Sequence, residues 1–263
     1  MKLDKYIALG KTKILDDYSH VLDRLFSGIF IGVILFIFLN IWKTVYAGAE
    51  QVGGFTLTHM IWYLSFAEMI SFASGTNRIE KLGAEIRNGS LSASLLKPWS
   101  FIAKELTILS ANFVSILLTA GVIGFAVAFF LVGPLDISLA TLPFVCIVLL
   151  GGVLLSFMIV TSFALLSLWL EDVSALYWIY QKILFIAGGM LIPLEFYPSW
   201  MQDIIQYFPT TFLMYWPSKL FVHFSFEKFF YVLASQSVWI VIMSFIMIMV
   251  YKKGIRKVGI YGG

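Results

Sequence analysis

The sequence is poor in charged residues and in cysteine, and both shortages restrict the kind of protein it encodes. Of 263 residues, only 13% are Asp, Glu, Lys or Arg, while 60% are hydrophobic. A soluble domain carries about 25% charged residues. A chain this apolar cannot bury its hydrophobic surface in one core, so it requires lipid as solvent for much of that surface. The single cysteine, Cys146, excludes an internal disulfide bond. The net charge of +3 does not indicate a nucleic-acid partner.

Motifs for nucleotide binding and for catalysis inside a membrane are also missing. A Gly-Lys-Thr triplet begins at Gly10, but Lys5 occupies the position where a phosphate-binding loop has its first glycine. There is no His-Glu-x-x-His motif and no Cys/His metal cluster. His20, His59 and His223 lie in loops or near predicted membrane interfaces, so no base stands beside a nucleophile within the apolar runs. We therefore expect no enzyme activity and no bound cofactor or metal in this chain.

Long apolar runs are what the sequence has in place of charge. Such runs can cross a hydrocarbon core of about 30 Å as helices that rise 1.5 Å per residue. We predict an all-α membrane protein with six transmembrane helices within residues 26–251. The predicted spans are 26–46, 58–74, 101–131, 142–170, 173–193 and 229–251. Residues 1–25 predict an amphipathic helix at the membrane interface, although a soluble helix packed on a partner would show the same pattern.

The distribution of Lys and Arg orients these helices. With both termini in the cytosol, 14 of the 18 basic residues lie on the cytosolic side and three lie outside, as the positive-inside rule requires. The remaining one, Lys182, falls within the fifth span. This orientation places residues 75–100 and a basic tail, 252–263, in the cytosol. It places the Pro- and aromatic-rich segment 194–227 outside. We expect the protein in the plasma membrane, in contact with lipid.

The longest polar interval, 75–100, has helical periodicity. An apolar stripe predicts a helix that ends at Asn88 and Gly89. That stripe consists of Ile79, Leu82 and Ile86. Leu91 and Leu95 follow on a second short helix, which Pro98 ends. We expect short amphipathic helices just below the membrane rather than a solvated loop.

The same interval resembles the cytosolic loop between the second and third spans of ABC-2 type permeases. That loop has an acidic residue, then a basic residue and Gly, then Thr or Ser, and finally a leucine pair and Pro. The matching residues here are Glu85, Arg87, Gly89, Leu91, Leu95 and Pro98. The end of the fifth span and segment 194–227 are similar to the last loop of that family, where a Pro-aromatic hairpin lies on the outer side. The matching residues there are Pro193, Pro198, Trp200 and Pro209.

The resemblance covers almost the whole chain and is nearest in form to compact bacterial permeases of six spans. It implies the permease subunit of an exporter that pairs with a second permease, identical or related, and docks separate ABC ATPase subunits. ATP and Mg²⁺ would bind to those partners. The loop after the second span would supply the coupling helix between ATPase and permease. Segment 194–227 would form an external re-entrant helical hairpin, either as a gate or as an anchor of aromatic side chains at the outer interface.

Two charged residues fall inside predicted spans. Glu68 lies roughly 10 Å and Lys182 roughly 13 Å from the cytosolic ends of their helices. An unpaired charge there costs several kcal/mol. We therefore expect the two side chains to pair near the pathway, with Ser65 and Ser71 placing hydroxyls nearby. In the alternative, Lys182 extends to the cytosolic interface and Glu68 finds only hydroxyl or backbone donors.

A self-contained secondary transporter or channel is the alternative function. Such proteins are expected to contain inverted repeats and helices broken near the midplane, and no internal repeat is visible in this sequence. Co-purification separates the two hypotheses, because only an ABC permease should bring down an ATPase through residues 75–100.

Overall fold

The fold is built from α-helices. The computed structural model describes residues 3–19, 21–89, 91, 94, 97 and 99–261. The α-helices are α1 (Asp4–Ser19), α2 (Val21–Tyr46), α3 (Leu57–Ala73), α4 (Arg78–Arg87), α5 (Phe101–Ile116), α6 (Val122–Val132), α7 (Leu142–Leu165), α8 (Ser174–Ala187), α9 (Ser199–Ile205), α10 (Pro209–Leu213), α11 (Tyr215–Val222) and α12 (Phe226–Tyr261). Within the described residues, the only β contact is an isolated bridge between Val52 and Phe55. The all-α prediction is therefore confirmed.

Four helical stretches in the described part of the chain are long and apolar enough to cross a membrane. They are Leu25–Tyr46, Phe101–Val132, Leu139–Leu168 and Phe226–Arg256. These correspond to the first, third, fourth and sixth predicted spans. The helices at the second and fifth positions are shorter, with 17 residues in α3 and 14 in α8. They reach only about 25 and 21 Å, less than a hydrocarbon core of about 30 Å.

The predicted fifth span, 173–193, is longer than the helix that forms there. α8 ends at Ala187, and Gly189 has a φ of +68°, a left-handed conformation that favours glycine. A Cβ at Gly189 would also lie 3.0 Å from side-chain atoms of Tyr63 and Tyr215. The chain therefore turns at this glycine, several residues before Pro193.

A π-helical turn joins α5 to α6 without ending the helix. It covers Leu117–Gly121, where the wider turn accommodates an extra residue. A Cβ at Gly121 would lie 2.9 Å from the Sδ atom of Met69 on α3. The third predicted span is thus one continuous helical rod that passes very close to α3.

Helix α3 lies at the centre of the molecule. Every residue from Met60 to Ile70 is buried, and α2, α6 and α11 pack around it. The Phe66 ring stacks on Phe221 of α11 at 4.3 Å and on Phe125 of α6 at 5.9 Å, with interplanar angles of 9° in both pairs. α3 is therefore enclosed by protein over most of its length, which agrees with apolar residues on every side of the helix.

Segment 194–227 folds back into the helix bundle. α10 contacts α7, α8 and α12, while α11 contacts α3 and α7. Almost every residue of these two helices is buried. The prolines separate short helices instead of leaving an irregular loop, because proline suits the first turn of a helix and breaks the preceding one.

The predicted basic tail, 252–263, is not a separate segment, since α12 continues unbroken to Tyr261. Tyr251 stacks on Phe101 at 5.9 Å with an interplanar angle of 6°. A Cβ at Gly254 would overlap Leu168. The end of α12 therefore packs against the start of α5 and the end of α7, beside α4.

Helix α1 forms where the amphipathic helix was predicted and lies along α5. The Tyr6 hydroxyl accepts a hydrogen bond of 3.0 Å from the backbone N–H of Ser100. A Cβ at Gly10 would lie 3.4 Å from Thr107. Large apolar side chains of this N-terminal segment remain exposed, among them Leu3, Ile7 and Leu15.

Candidate functional site

The apolar face of α4 is docked on the ends of α5 and α7. Its buried residues are Ile79, Leu82, Gly83 and Ile86, as the helical stripe predicted. Leu82 and Ile86 join a small apolar group that we name the α4 cluster. The α4 cluster consists of Leu82, Ile86, Leu91, Phe101, Ala164 and Leu165. Gly83 permits the closest approach, because a Cβ there would lie 2.6 Å from Val173.

A buried ion-pair network holds the first turn of α4 to α5. The Arg78 guanidinium donates to both oxygens of Glu85, at 2.6 and 3.0 Å. It also donates twice to Oε2 of Glu105, at 2.9 and 3.2 Å. Lys104 Nζ lies 3.2 Å from the other oxygen of Glu105, whose side chain is 2% exposed. Glu105 is thus buried by protein at the start of α5.

The charge of Arg78 is stabilised by this network. Burial alone lowers the pKa of its guanidinium, but hydrogen bonds and charges from Glu85 and Glu105 outweigh that effect and raise the pKa overall. Arg78 therefore stays ionised at every physiological pH. It connects α4 to α5 by charge-assisted hydrogen bonds, which are stronger than neutral ones.

The C-terminal end of α4 is exposed. Gly89 has a φ of +84° and its N–H donates to Ile86 O at 3.1 Å, a helix terminus that glycine favours. Arg87 lies close enough to Asp172, in the loop between α7 and α8, for their charges to interact. Hydrogen bonds from Ser174 lower the pKa of Asp172, and the charge of Arg87 lowers it further. We name this exposed region the Arg87 surface; it consists of Arg87, Asn88, Gly89, Glu171 and Asp172.

A cavity of about 520 Å³ lies beside α3, between α2 and α8. Its polar lining includes Glu68 and Ser71 of α3, and Tyr177 and Gln181 of α8. Glu68 is 1% exposed, and its Oε2 atom has no hydrogen-bond partner. Gln181 donates to the Tyr177 hydroxyl at 2.7 Å. A carboxyl group without a partner thus lies at an apolar cavity, an arrangement that stabilises an incoming donor or cation.

The predicted pair between Glu68 and Lys182 is not formed. No ion pair joins these two side chains, both of which belong to the described residues. Lys182 is exposed, and its Nζ atom lies 4.9 Å from the ring centroid of Phe185 and 5.6 Å from that of Trp178. One residue corresponds to about 100° around a helix. Gln181 therefore lines the cavity, whereas the side chain of its neighbour Lys182 is exposed at the surface of the helix bundle.

The predicted serines differ in position. Ser71 lines the same cavity as Glu68. Ser65 is fully buried, its hydroxyl has no hydrogen-bond partner, and a Cβ at Gly124 of α6 would lie 3.4 Å from it. The cavity therefore includes Ser71, whereas Ser65 belongs to the contact between α3 and α6.

A second polar group lies where segment 194–227 meets α3. Glu195 accepts hydrogen bonds from Lys219 and, at 2.7 Å, from the Tyr215 hydroxyl. The Tyr63 hydroxyl donates to Gly189 O at 2.5 Å. These bonds join α3, the turn after α8 and α11. The described residues contain no group of three or more His, Cys, Asp or Glu side chains that could hold a metal ion.

The four residues predicted for the hairpin occupy element boundaries in this segment. Pro193 is buried and precedes a 3₁₀ turn, Leu194–Phe196. Pro198 caps α9, Trp200 is exposed on α9, and Pro209 is the first residue of α10. The structure thus distributes them along the segment and does not bring them into one cluster.

Comparison with known families agrees with this arrangement. A family model described as ABC-2 family transporter protein matches residues 30–262. The chain belongs to this family. The predicted resemblance is therefore confirmed, and the ABC-2 chain is a membrane transport component, not a catalytic subunit. Permeases of this family generally work with ABC ATPase subunits. A search of curated proteins finds no significant match.

In this ABC-2 chain, the predicted coupling residues that the structure describes fall in three groups. Glu85 belongs to the Arg78 network, Arg87 and Gly89 to the Arg87 surface, and Leu91 to the α4 cluster. Leu95 and Pro98 lie outside the described residues. Sequence reasoning missed the partnership of Arg78 with Glu105, because no short spacing indicates a contact between residues 27 positions apart.

Proposed function

We propose that the chain is the permease subunit of an ATP-driven ABC exporter. Two six-span permeases, identical or related, would form the pathway, and separate ABC ATPase subunits would bind ATP and Mg²⁺. The observation that carries this proposal is the arrangement of α4. Its buried face is held to α5 and α7 by the Arg78 network and the α4 cluster, while the Arg87 surface remains free to receive a partner.

Motion of α4 would be transmitted by three routes. A short link, Ser74–Asn77, joins α4 directly to α3, and Ser156 of α7 donates to Ser74 O at 2.6 Å. The Arg78–Glu105 hydrogen bonds lead to α5, and the α4 cluster leads to α7. Because packed interiors are nearly incompressible, a push on the Arg87 surface moves these helices together. α3 carries the cavity with Glu68, so the push reaches the proposed pathway.

The proposed topology has both termini in the cytosol and six crossings. α3 and α8 complete the six, since short helices enclosed by neighbours can be accommodated by local thinning of the bilayer. α1 would lie at the cytosolic interface with Leu3, Ile7 and Leu15 in lipid. The protein would lie in the plasma membrane of a bacterium.

Segment 194–227 would close the outer end of the pathway as a re-entrant hairpin. The support is that α10 and α11 are buried between spanning helices, and that Glu195, Lys219 and Tyr215 tie the segment together. Exposed aromatic residues of this segment, such as Trp200, would anchor it at the outer interface. Segment 194–227 would then provide both the gate, through α10 and α11, and the anchor, through its exposed aromatic residues.

Charge reversal at Arg87 tests the proposed coupling. In a reconstituted complex, Arg87→Glu places a second negative charge near Asp172 and removes the cation of the Arg87 surface. We expect ATP hydrolysis to proceed without transport, or the ATPase to be lost on purification, while the permease remains folded. The matched control is Lys228→Glu, on an exposed and poorly paired lysine in the first turn of α12.

Two outcomes would contradict the proposal. One is an Arg87→Glu permease that retains its ATPase and transports at the rate of the Lys228→Glu control. The other is a purified chain that transports on an ion gradient without any ATPase, which would favour a secondary transporter.

A further inference from the structure

The cavity beside α3 combines apolar walls with a single charged group. Its volume of about 520 Å³ falls within the range of about 300–1,000 Å³ typical of small-molecule pockets. Apolar side chains from three helices supply most of the wall, among them Phe30, Ile34, Phe72 and Phe185. Glu68 is the only charged residue among the described residues that line it. The cavity is therefore suited to a ligand with a large apolar body.

The Glu68 carboxyl specifies the charge of that ligand. Its Oε2 atom is buried without a hydrogen-bond partner, and burying an unpaired carboxylate is costly. Lys182 forms no ion pair with it, because its Nζ atom lies over the ring of Phe185, 4.9 Å from the centroid. A cation that enters the cavity would supply the missing counter-charge, whereas an anion would be repelled and a neutral ligand would leave the charge of the carboxylate uncompensated.

The remaining polar groups fit the same ligand. Gln181 uses its amide N–H₂ to donate to Tyr177, which leaves the amide oxygen able to accept from an ammonium group. Aromatic rings in the wall attract cations through their faces. Each of these groups favours a positive charge on the ligand.

A second cavity of about 510 Å³, beside α1, has the opposite character. Its lining includes both signs of charge, namely Lys13, Asp16, Asp17, Arg78 and Lys81. Lys13 pairs with Asp16 and Asp17, and Arg78 pairs with Glu85 and Glu105. Four of these five charges are compensated within the protein, and the fifth, Lys81, is exposed to solvent, so this cavity holds no buried unpaired charge to select a ligand.

We propose that the cavity between α2, α3 and α8 binds an amphipathic organic monocation, whose charge pairs with Glu68 and whose apolar body contacts Phe30, Phe72 and Phe185. This assignment rests on the proposed permease function, in which such a cation is the cargo. Binding itself needs no ATPase, so it can be measured on the permease alone. A failure of coupling at Arg87 would leave this site untouched.

Equilibrium binding of radiolabelled tetraphenylphosphonium tests the proposal. The full chain is reconstituted in phosphatidylglycerol nanodiscs, and empty nanodiscs give the lipid background. Tetraphenylborate, which has the same shape and the opposite charge, is the matched probe. Each ion is measured in a separate sample, because the two together form a poorly soluble salt. We expect saturable binding of tetraphenylphosphonium and no saturable binding of tetraphenylborate.

The variant Glu68→Gln keeps the shape of the side chain and removes its charge. We expect it to weaken tetraphenylphosphonium binding by tenfold or more. The control is Glu227→Gln, on a glutamate whose side chain is 86% exposed, which should bind as the wild type does. Ser71→Trp, which fills the cavity and retains Glu68, should also abolish binding. Thermal unfolding of each variant verifies that it is folded.

The proposal is overturned if Glu68→Gln and Ser71→Trp both bind like the wild type, or if the wild type binds tetraphenylborate equally well. Adding phosphatidylethanolamine to the nanodiscs distinguishes two sources of the ammonium group. Weaker tetraphenylphosphonium binding would identify the lipid amine as a ligand of the same site. Unchanged binding would leave a water-soluble amphipathic cation as the ligand.

Discussion

At the scale of single residues, the direction in which a side chain points from its helix determines the role of a charged group. Glu68 and Lys182 have similar predicted depths, yet one lines a cavity and the other is exposed beside Trp178. Glu105 follows Lys104 at the start of α5, yet its side chain is buried and bonded to Arg78. Depth along a helix follows from counting residues, but the angle around its axis depends on which neighbours pack against it.

Removing Arg78 tests the energetic role of the buried network. In Arg78→Met, the Glu105 carboxylate keeps only Lys104 as a charged neighbour. Breaking a buried ion pair costs about 3–5 kcal/mol, so the free energy of unfolding in detergent and dodecyl sulfate mixed micelles should fall by about 3 kcal/mol. Lys81→Met changes an exposed lysine on the same helix and should alter stability by about 0.5 kcal/mol at most.

A second substitution makes this prediction sharper. Replacing a buried ion pair by apolar side chains is often close to neutral, so Arg78→Met combined with Glu105→Leu should recover most of the lost stability. Glu85 is half-exposed and can be hydrated in the double variant. Equal stability of Arg78→Met and Lys81→Met would contradict a structural role for the network.

At the scale of elements, helix ends and close contacts are set by glycine. α8 ends at Ala187, where Gly188 and Gly189 follow, before the predicted limit of the fifth span. α4 ends at Gly89 as predicted, because an Asn-Gly pair after a helical stripe is a local signal. Gly83 is different: its lack of a side chain matters only because Val173, from a distant part of the chain, packs against it.

The contact between α4 and Val173 predicts that Gly83→Ala destabilises the protein, although helix propensity alone predicts that it stabilises. In an ordinary helix interior, Gly→Ala stabilises by about 1 kcal/mol. Here the new Cβ of Gly83→Ala would lie 2.6 Å from Val173. Overpacking costs about 1–3 kcal/mol, so unfolding in mixed micelles should occur at a lower fraction of dodecyl sulfate.

The double variant Gly83→Ala/Val173→Ala provides the control. It removes the atoms that clash and should recover stability relative to Gly83→Ala alone. A Gly83→Ala protein more stable than the wild type would indicate that α4 is not packed against the loop between α7 and α8.

At the scale of the whole molecule, the chain belongs to the ABC-2 family, but helix length does not by itself establish six crossings. Four stretches in the described residues satisfy the length and hydropathy that crossing requires. α3 and α8 depend on the bundle around them. Chemical labelling can determine on which side of the membrane each connection lies.

The proposed topology predicts a specific labelling pattern. In a Cys146→Ser background, single cysteines are introduced at two exposed positions, Asn88 after α4 and Asp203 on α9. A membrane-impermeant maleimide applied to intact cells should label Asp203→Cys at once and Asn88→Cys only after permeabilisation. The Cys146→Ser parent should remain unlabelled. Labelling of Asn88→Cys in intact cells would contradict the proposed topology.

The sequence by itself determined the properties that depend on composition along the chain. The apolar fraction identified a membrane protein, the four longest apolar runs became long helices, and the Glu85–Pro98 and Pro193–Pro209 patterns identified the family. Each of these signals is local or additive, because hydrophobic transfer and helix geometry act on consecutive residues.

Only the tertiary structure decided which of these residues act together. It joined Arg78 to Glu105, separated Glu68 from Lys182, ended α8 at Ala187 and formed the cavity between α2, α3 and α8. Such contacts depend on the rotation of each helix about its axis and on packing between distant segments. No short sequence pattern contains that information, because any of several rotations would bury a helix as apolar as α3.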